Sequence, residues 1–198
     1  MHPSEGQIRM ENISLQNCLE RAFDVRDYSL SGPPWLKSER FDIVAKIPAG
    51  APRSQVGAML QALLKDRFHL AFHWTPRELS GYALVVARNG LKIQPVESTD
   101  RTSTSSGRGK LQARQLSMDG FADMLGRELN TPVQNSTSMQ GLFDLTLEWT
   151  PDDAPPDSAP GPSLFTALQD QLGLRLRAQK ISIPTLVVDS IDRVPSGN

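Results

Sequence analysis

Cysteine is almost missing from this chain of 198 residues, with Cys18 the sole representative. One thiol excludes an internal disulfide and a multi-cysteine zinc site, and it leaves the redox compartment undecided. An excess of charge of either sign is also lacking: 21 basic side chains face 22 acidic ones, for a formal net charge of −1. So balanced a chain has no overall field to attract a phosphate backbone or anionic lipid, and nucleic acid is not an expected partner. No apolar run approaches the roughly 18 residues of a membrane span. The opening MHPSEGQIRM has neither the charged nor the apolar region of a signal peptide, so the chain as it stands reads as soluble and untargeted.

What is present is ordinary for a globular protein: 38% hydrophobic and 22% charged residues, with 15 prolines and 14 glycines that point to many loops. A chain of this length has room for one large or two small domains and buries about 70% of its unfolded surface without staples.

The organising feature is a repeat. Ser14 and Ser117 each stand just ahead of an apolar series and read as helix N-caps. Leu15, Cys18, Leu19 and Ala22 form the first stripe, and Met118, Phe121, Ala122 and Leu125 the second, with the spacing of one helix face. FDIVAKIP then alternates Phe41, Ile43, Ala45 and Ile47 with other residues, as FDLTLEWTP alternates Phe143, Leu145, Leu147 and Trp149. Period two predicts half-buried strands. A proline-containing loop and a second helix follow in each half: Val56, Met59, Leu60, Leu63, Leu64 and Phe68 share one face, and Leu164, Phe165, Leu168 and Leu172 share another, with Gly173 as a stop. HLAFHW with YALVVA, and LRLRA with TLVVDSI, then predict two successive strands per half, suited to a hairpin.

Each half therefore reads helix, strand, helix, strand, strand. The expected class is α+β, an internal duplication with helices packed on antiparallel or mixed sheet. The boundaries are 1–96 for the first repeat, 97–112 for a flexible polar linker and 113–198 for the second repeat.

With these stretches laid out, the chain resembles a family of uncharacterised bacterial proteins, the soil-associated protein family. The resemblance runs from about Gly6 to Asn198 and rests on WLKSERFDIVAK (35–46), LLKDRFHLAFHWTPRELSGYALVVAR (63–88), GLFDLTLEWTPD (141–152), GPSLFTALQDQLGLRLRAQK (161–180) and the closing VVDSIDRVPSGN. Members generally carry a signal peptide, and some are fused to membrane metallopeptidases of the antibiotic-sensor type. The resemblance thus implies a periplasmic or secreted setting, and it supplies no activity and no catalytic residue. Where many members resemble D-x-T-G-L-x-G-x-Y-D, this chain has NSTSMQGLFD (135–144), with Asn135 for the aspartate and Ser138 for the glycine.

Chemistry-bearing residues are few. His69 and His73 are four apart, but the segment alternates as a strand, which separates their side chains by roughly 13 Å on one face and disfavours a shared metal. His73 and Glu78 flank Thr75-Pro76 and form a candidate base and orienting carboxylate across a turn, against the alternative of a solvated strand face. Glu148, Asp152, Asp153 and Asp157 crowd a proline-rich loop, which makes them candidate oxygen ligands for calcium, although the EF-hand spacing and its central glycine are absent. Asp42 and Asp144 occupy matched positions and are candidate ligand-binding residues; duplication alone also accounts for the match. Trp74 and Trp149 continue the core-facing phase of their strands. Trp35, after Gly-Pro-Pro, is either a peg for the core or an exposed contact residue. Cys18 on an apolar helical face reads as an inert buried thiol. No G-x-S-x-G elbow occurs, and GRGK (107–110) lacks the rest of a phosphate loop.

Two readings follow. The first is a non-catalytic, extracytoplasmic-type binding or interaction module for a protein or small-molecule ligand, recognised at strand edges or between the halves. The alternative is a calcium-assisted hydrolase of a small ester or lactone, with His73 and Glu78 as proton carriers.

Overall fold

A computed structural model describes residues 7–46, 55–97, 102–155 and 161–197. The class is α+β. In chain order the elements are β1 (Gln7–Ser14), α1 (Leu15–Phe23), β2 (Leu30–Ser31), β3 (Arg40–Lys46), α2 (Val56–Phe68), β4 (Ala71–Val86), β5 (Pro95–Val96), β6 (Ser103–Gly107), β7 (Lys110–Leu116), α3 (Met118–Glu128), β8 (Val133–Asn135), β9 (Leu142–Glu148), α4 (Leu164–Ala167) and β10 (Leu174–Ser190). They assemble as a β1-β3 ribbon and two four-stranded sheets, β2-β10-β4-β8 and β5-β9-β7-β6.

The chain divides into two compact units, Met1–Arg77 with Ser182–Asn198, and Glu78–Ile181. In the first, β1 and β3 pair antiparallel, and β2 pairs parallel with the end of β10, Leu30 beside Leu186. The Ser14 hydroxyl accepts the Asn17 amide at 3.1 Å and caps α1, as the sequence predicts. Leu15, Cys18, Leu19 and Ala22 of α1 are buried and meet Leu60, Leu64 and Phe68 of α2 in one core. Complete burial of a leucine such as Leu19 contributes roughly 1.5–3 kcal/mol, so the stripe fixes how α1 lies. The Gln61 side chain donates to the Ala22 carbonyl at 2.7 Å, joining α2 to the end of α1.

In the second unit β7 is flanked by β6 and β9, both antiparallel, and β9 takes β5 on its other edge through Pro95–Phe143 and Val96–Leu142. Ser117 caps α3 by accepting the Gly120 amide at 3.1 Å. Met118, Phe121, Ala122 and Leu125 face Leu145, Leu147, Leu168 and Leu172 in a second core, joined by Leu84 from β4 and Leu174 from β10. β8 pairs parallel with β4, Val133 beside Tyr82.

The same series thus occurs twice: strand, capped helix, short strand, strand, helix, long strand. The match extends to defects. In the β1–β3 ladder the register shifts between Met10 and Ile13, so Glu11 and Asn12 together oppose Asp42. In β7–β9 it shifts between Ala113 and Leu116, so Arg114 and Gln115 oppose Asp144. These are β-bulges, in which one strand carries an extra residue. In both, the second bulge residue is left-handed, with φ 51° at Asn12 and 53° at Gln115.

Three expectations differ from the fold. The two strands expected at the end of each half are one continuous strand in each case, β4 and β10, with no hairpin. Within β4, Gly81 is required by close packing: a Cβ there would lie 2.5 Å from the Pro132 carbonyl oxygen. The consequence is that each unit draws part of a long strand from each half, β4 up to Arg77 and β10 from Ser182 in the first unit, and the remainders in the second. Residues 103–107 and 110–112, expected within the flexible linker, pair as the β6–β7 hairpin around the Arg108-Gly109 turn. The helix from Leu164 is a single α-turn that passes into a π-helical turn over Leu168–Leu172, ending as expected at Gly173 with φ 69°. Ile47 lies outside the described residues.

Candidate functional site

The histidines are held by aspartates that no sequence spacing links to them. His73 Nδ1 lies 2.8 Å from Asp189 Oδ1 and His69 Nδ1 lies 2.8 Å from Asp192 Oδ2, each pair at least half-exposed or nearly so. His69 is not on the strand: it is the left-handed C-cap of α2, at φ 49°. Glu78 is not the partner of His73. β4 runs straight through Thr75-Pro76, so five residues of strand put the two side chains about 16 Å apart along it and on opposite faces. The sequence could not reveal Asp189 and Asp192, because more than a hundred residues separate them from the histidines.

Asp42 and Asp144 carry out one structural task twice. Asp42 Oδ1 accepts the Asn12 amide at 2.8 Å, and Asp144 Oδ1 accepts the Gln115 amide at 2.9 Å. A bulge frees a backbone N–H from the ladder, and a carboxylate on the opposing strand satisfies it with a charge-assisted bond. The rim of a polar 340 Å³ hollow on the outer face of the second unit's sheet includes Asp144, with Arg114, Gln112 and Thr146.

Among the described residues the acidic side chains of the loop do not converge. Glu148 forms an ion pair with Lys110, while its backbone N–H and carbonyl are both bonded by the Gln171 side chain. Asp153 pairs with Arg108 at 2.9 Å. Asp152 is exposed, and Asp157 lies outside the described residues. Among the described residues no group of three or more His, Cys, Asp or Glu side chains is placed to hold a metal ion. The loop that replaces the family-like D-x-T-G pattern is closed on itself. Asn135 Oδ1 accepts the Thr137 amide at 3.0 Å and the Thr137 hydroxyl at 2.7 Å, and Asn135 Nδ2 donates to Asp119. Ser138, standing where a glycine was expected, has φ 59°.

Of the tryptophans, Trp149 is 8% exposed and belongs to the core, as expected. Trp74 is 46% exposed, against expectation; its ring meets Phe23 edge-on at 6.3 Å rather than entering the core. The long strand twists, so the phase read from the sequence does not persist to its exposed end. Trp35 is half-buried as a peg on the first core, with the Arg193 guanidinium 5.2 Å over its ring. Cys18 is fully buried, and desolvation pushes its thiol up to about 11. That is the opposite of a nucleophile's environment.

The feature that residue-by-residue reading missed is an edge. Among the described residues β3 pairs with β1 alone. A groove of 480 Å³ runs beside it, lined by polar groups of Asp42, Arg67 and Ser196 as well as by Phe41, Val44, Leu63 and Phe68. Val44 is 58% exposed. The signal was available in FDIVAK: Val44 is apolar at the phase where alternation calls for a polar residue.

Fold and site together define an α+β protein of two similar units in which, among the described residues, the histidines pair singly with aspartates and β3 pairs with β1 alone. The chain belongs to the family described as "Protein of unknown function (DUF3738)", whose model matches residues 16–191. No curated protein and no solved structure matches it. No helix of the described residues is long and apolar enough to cross a membrane.

Proposed function

We propose that this chain is a non-catalytic binding module, built by duplication of one ancestral unit, that recognises its ligand at an open strand edge. The observation that carries the reading is the groove beside β3. Backbone groups at a strand edge with no pairing partner are unpaired donors and acceptors, and a strand beside a groove of mixed lining, Phe41, Leu63 and Phe68 with Asp42 and Arg67, is suited to receive a partner. The duplication is supported by the paired bulges and by the two aspartates that satisfy them, features that a shared fold class alone does not require. A periplasmic or secreted site of action follows from the resemblance to the soil-associated family.

The calcium-assisted ester or lactone hydrolase is the second reading, favoured by the 2.8 Å bond between His73 and Asp189, which fixes the imidazole as a general base requires. Turnover of an activated ester such as p-nitrophenyl acetate separates the two. The binding reading expects no rate above buffer, with or without calcium. A rate that falls with chelator or with His73→Ala would establish the hydrolase instead.

A further inference from the structure

The outer face of the second unit's sheet carries polar side chains in two rows that cross β6, β7 and β9. In one row Ser103 lies beside Arg114, which opposes Asp144; in the other Ser105 lies beside Gln112, and Gln112 beside Thr146. Neighbouring strands are about 4.8 Å apart and same-face residues of one strand about 7 Å apart, so the rows bound a patch of about 10 by 7 Å. Leu111, Ala113, Leu145 and Leu147 on the opposite face are buried and hold the strands in place. The hollow lined by the two rows has a volume of 340 Å³. That is the lower end of small-molecule sites, which run roughly 300–1,000 Å³.

Two charges of opposite sign meet at this hollow without cancelling. Among the described residues the Arg114 guanidinium makes no ion pair and no hydrogen bond, and Asp144 has no cationic partner. Asp144 Oδ1 accepts the Gln115 amide at 2.9 Å, which fixes the carboxylate where it stands. The hydroxyls of Ser103, Ser105 and Thr146 and the Gln112 amide group also have no partner among the described residues. The first unit treats the same place differently. Its bulge sets Glu11 where the second has Arg114, Arg9 for Gln112 and Val44 for Thr146. There Glu11 is held by Arg9 of its own strand at 2.8 Å, so the charge beside Asp42 is already neutralised.

The geometry points to a binding site, in this hollow, for a free α-amino acid with a polar, uncharged side chain. Arg114 takes the ligand carboxylate, which a guanidinium holds through two parallel hydrogen bonds, and Asp144 takes the ammonium. A purely anionic ligand meets the charge of Asp144, and a purely cationic one that of Arg114. The pair therefore selects a molecule that carries both signs within one inter-strand spacing. The second row offers hydroxyls and an amide but neither a charge nor an apolar floor, so the ligand's side chain must exchange hydrogen bonds with Ser105, Gln112 and Thr146. This site lies in the other unit from β3 and does not depend on the strand-edge reading.

The test is a titration of L-glutamine into the ¹⁵N-labelled full chain, with three comparisons: N-acetyl-L-glutamine, which lacks the ammonium, L-glutaminamide, which lacks the carboxylate, and L-leucine. The expected result is saturable amide shifts confined to 103–107, 110–115 and 142–148, with each blocked form weakened at least about tenfold, as loss of a hydrogen-bonded charge requires, and leucine weaker than glutamine. Arg114→Gln, at an exposed position, should weaken L-glutamine by about the same factor and leave the remaining spectrum unchanged. Asp144→Asn keeps an acceptor for the Gln115 amide, and it should narrow the gap between L-glutamine and its N-acetyl form, an effect that a purely structural role for Asp144 does not produce. No saturable shift up to about 50 mM L-glutamine overturns the inference, being far weaker than millimolar binding. Equal binding of either blocked form or of leucine, or unchanged affinity in Arg114→Gln, also overturns it. Shifts at 40–46 and 63–68 in place of the β6–β7–β9 face overturn it too, while leaving the strand-edge reading standing.

Discussion

The carboxylate of Asp144 holds the backbone amide of Gln115 at 2.9 Å, across the ladder from a residue forced to a positive φ. Asp42 holds Asn12 in the same way at 2.8 Å. Removing the acceptor strands a backbone N–H that neither strand can satisfy. Asp144→Ala should lower the unfolding free energy by about 1.5–3 kcal/mol, the range for a hydrogen bond to a charged group. Asp42→Ala should cost less, about 0.5–1 kcal/mol, because water reaches its exposed bond. Urea denaturation measures both, and each Asp→Asn variant should recover part of the loss by restoring an acceptor.

Ser138 adopts φ 59° on an exposed loop, a conformation that costs a residue with a Cβ about 1–2 kcal/mol and costs glycine little. Ser138→Gly should raise stability by about 0.5 kcal/mol, the strain relieved being partly offset by the freer unfolded chain. An unchanged or lower thermal midpoint would show that the serine is not strained there.

Gly173 terminates the π-helical turn at φ 69°, and a Cβ there would lie 2.1 Å from the Gly90 carbonyl oxygen. Two penalties then act at once, a left-handed backbone and a backbone clash that no rotamer relieves. Gly173→Ala is expected to cost about 3 kcal/mol or more, read as a fall in denaturation midpoint or in yield of folded protein.

Burial raises the Cys18 thiol from 9.0 to about 11, with Arg21 pulling weakly the other way. A thiol whose folded value lies above its unfolded value favours folding below the unfolded one and loses that contribution as pH rises. Stability should therefore decline between about pH 9 and 11 through this group, and Cys18→Ala should flatten that decline after its own packing loss is allowed for. Alkylation by iodoacetamide at pH 8 should be slow in the native protein and fast in urea.

Much of the architecture was legible because it is local. Ser14 and Ser117 bond to amides three residues on, and the stripes beginning at Leu15 and Met118 are buried as helical spacing predicts, since both effects are decided within two turns of chain. The candidate site was legible only in part. The matched aspartates were visible as a pair, but their task depends on bulges in the facing strands β1 and β7.

The sequence alone determined the α+β class, the helix caps, the two apolar faces and Gly173 as a stop, because each depends on neighbours within a few residues. Tertiary structure alone decided which aspartate meets which histidine, that HLAFHWTPRELSGYALVVA forms one strand instead of a hairpin, and that β2 pairs with β10 from the far end of the chain. Pairings of that kind are chosen by whichever distant backbone and side chains arrive alongside, and a spacing rule confined to one segment carries no information about them.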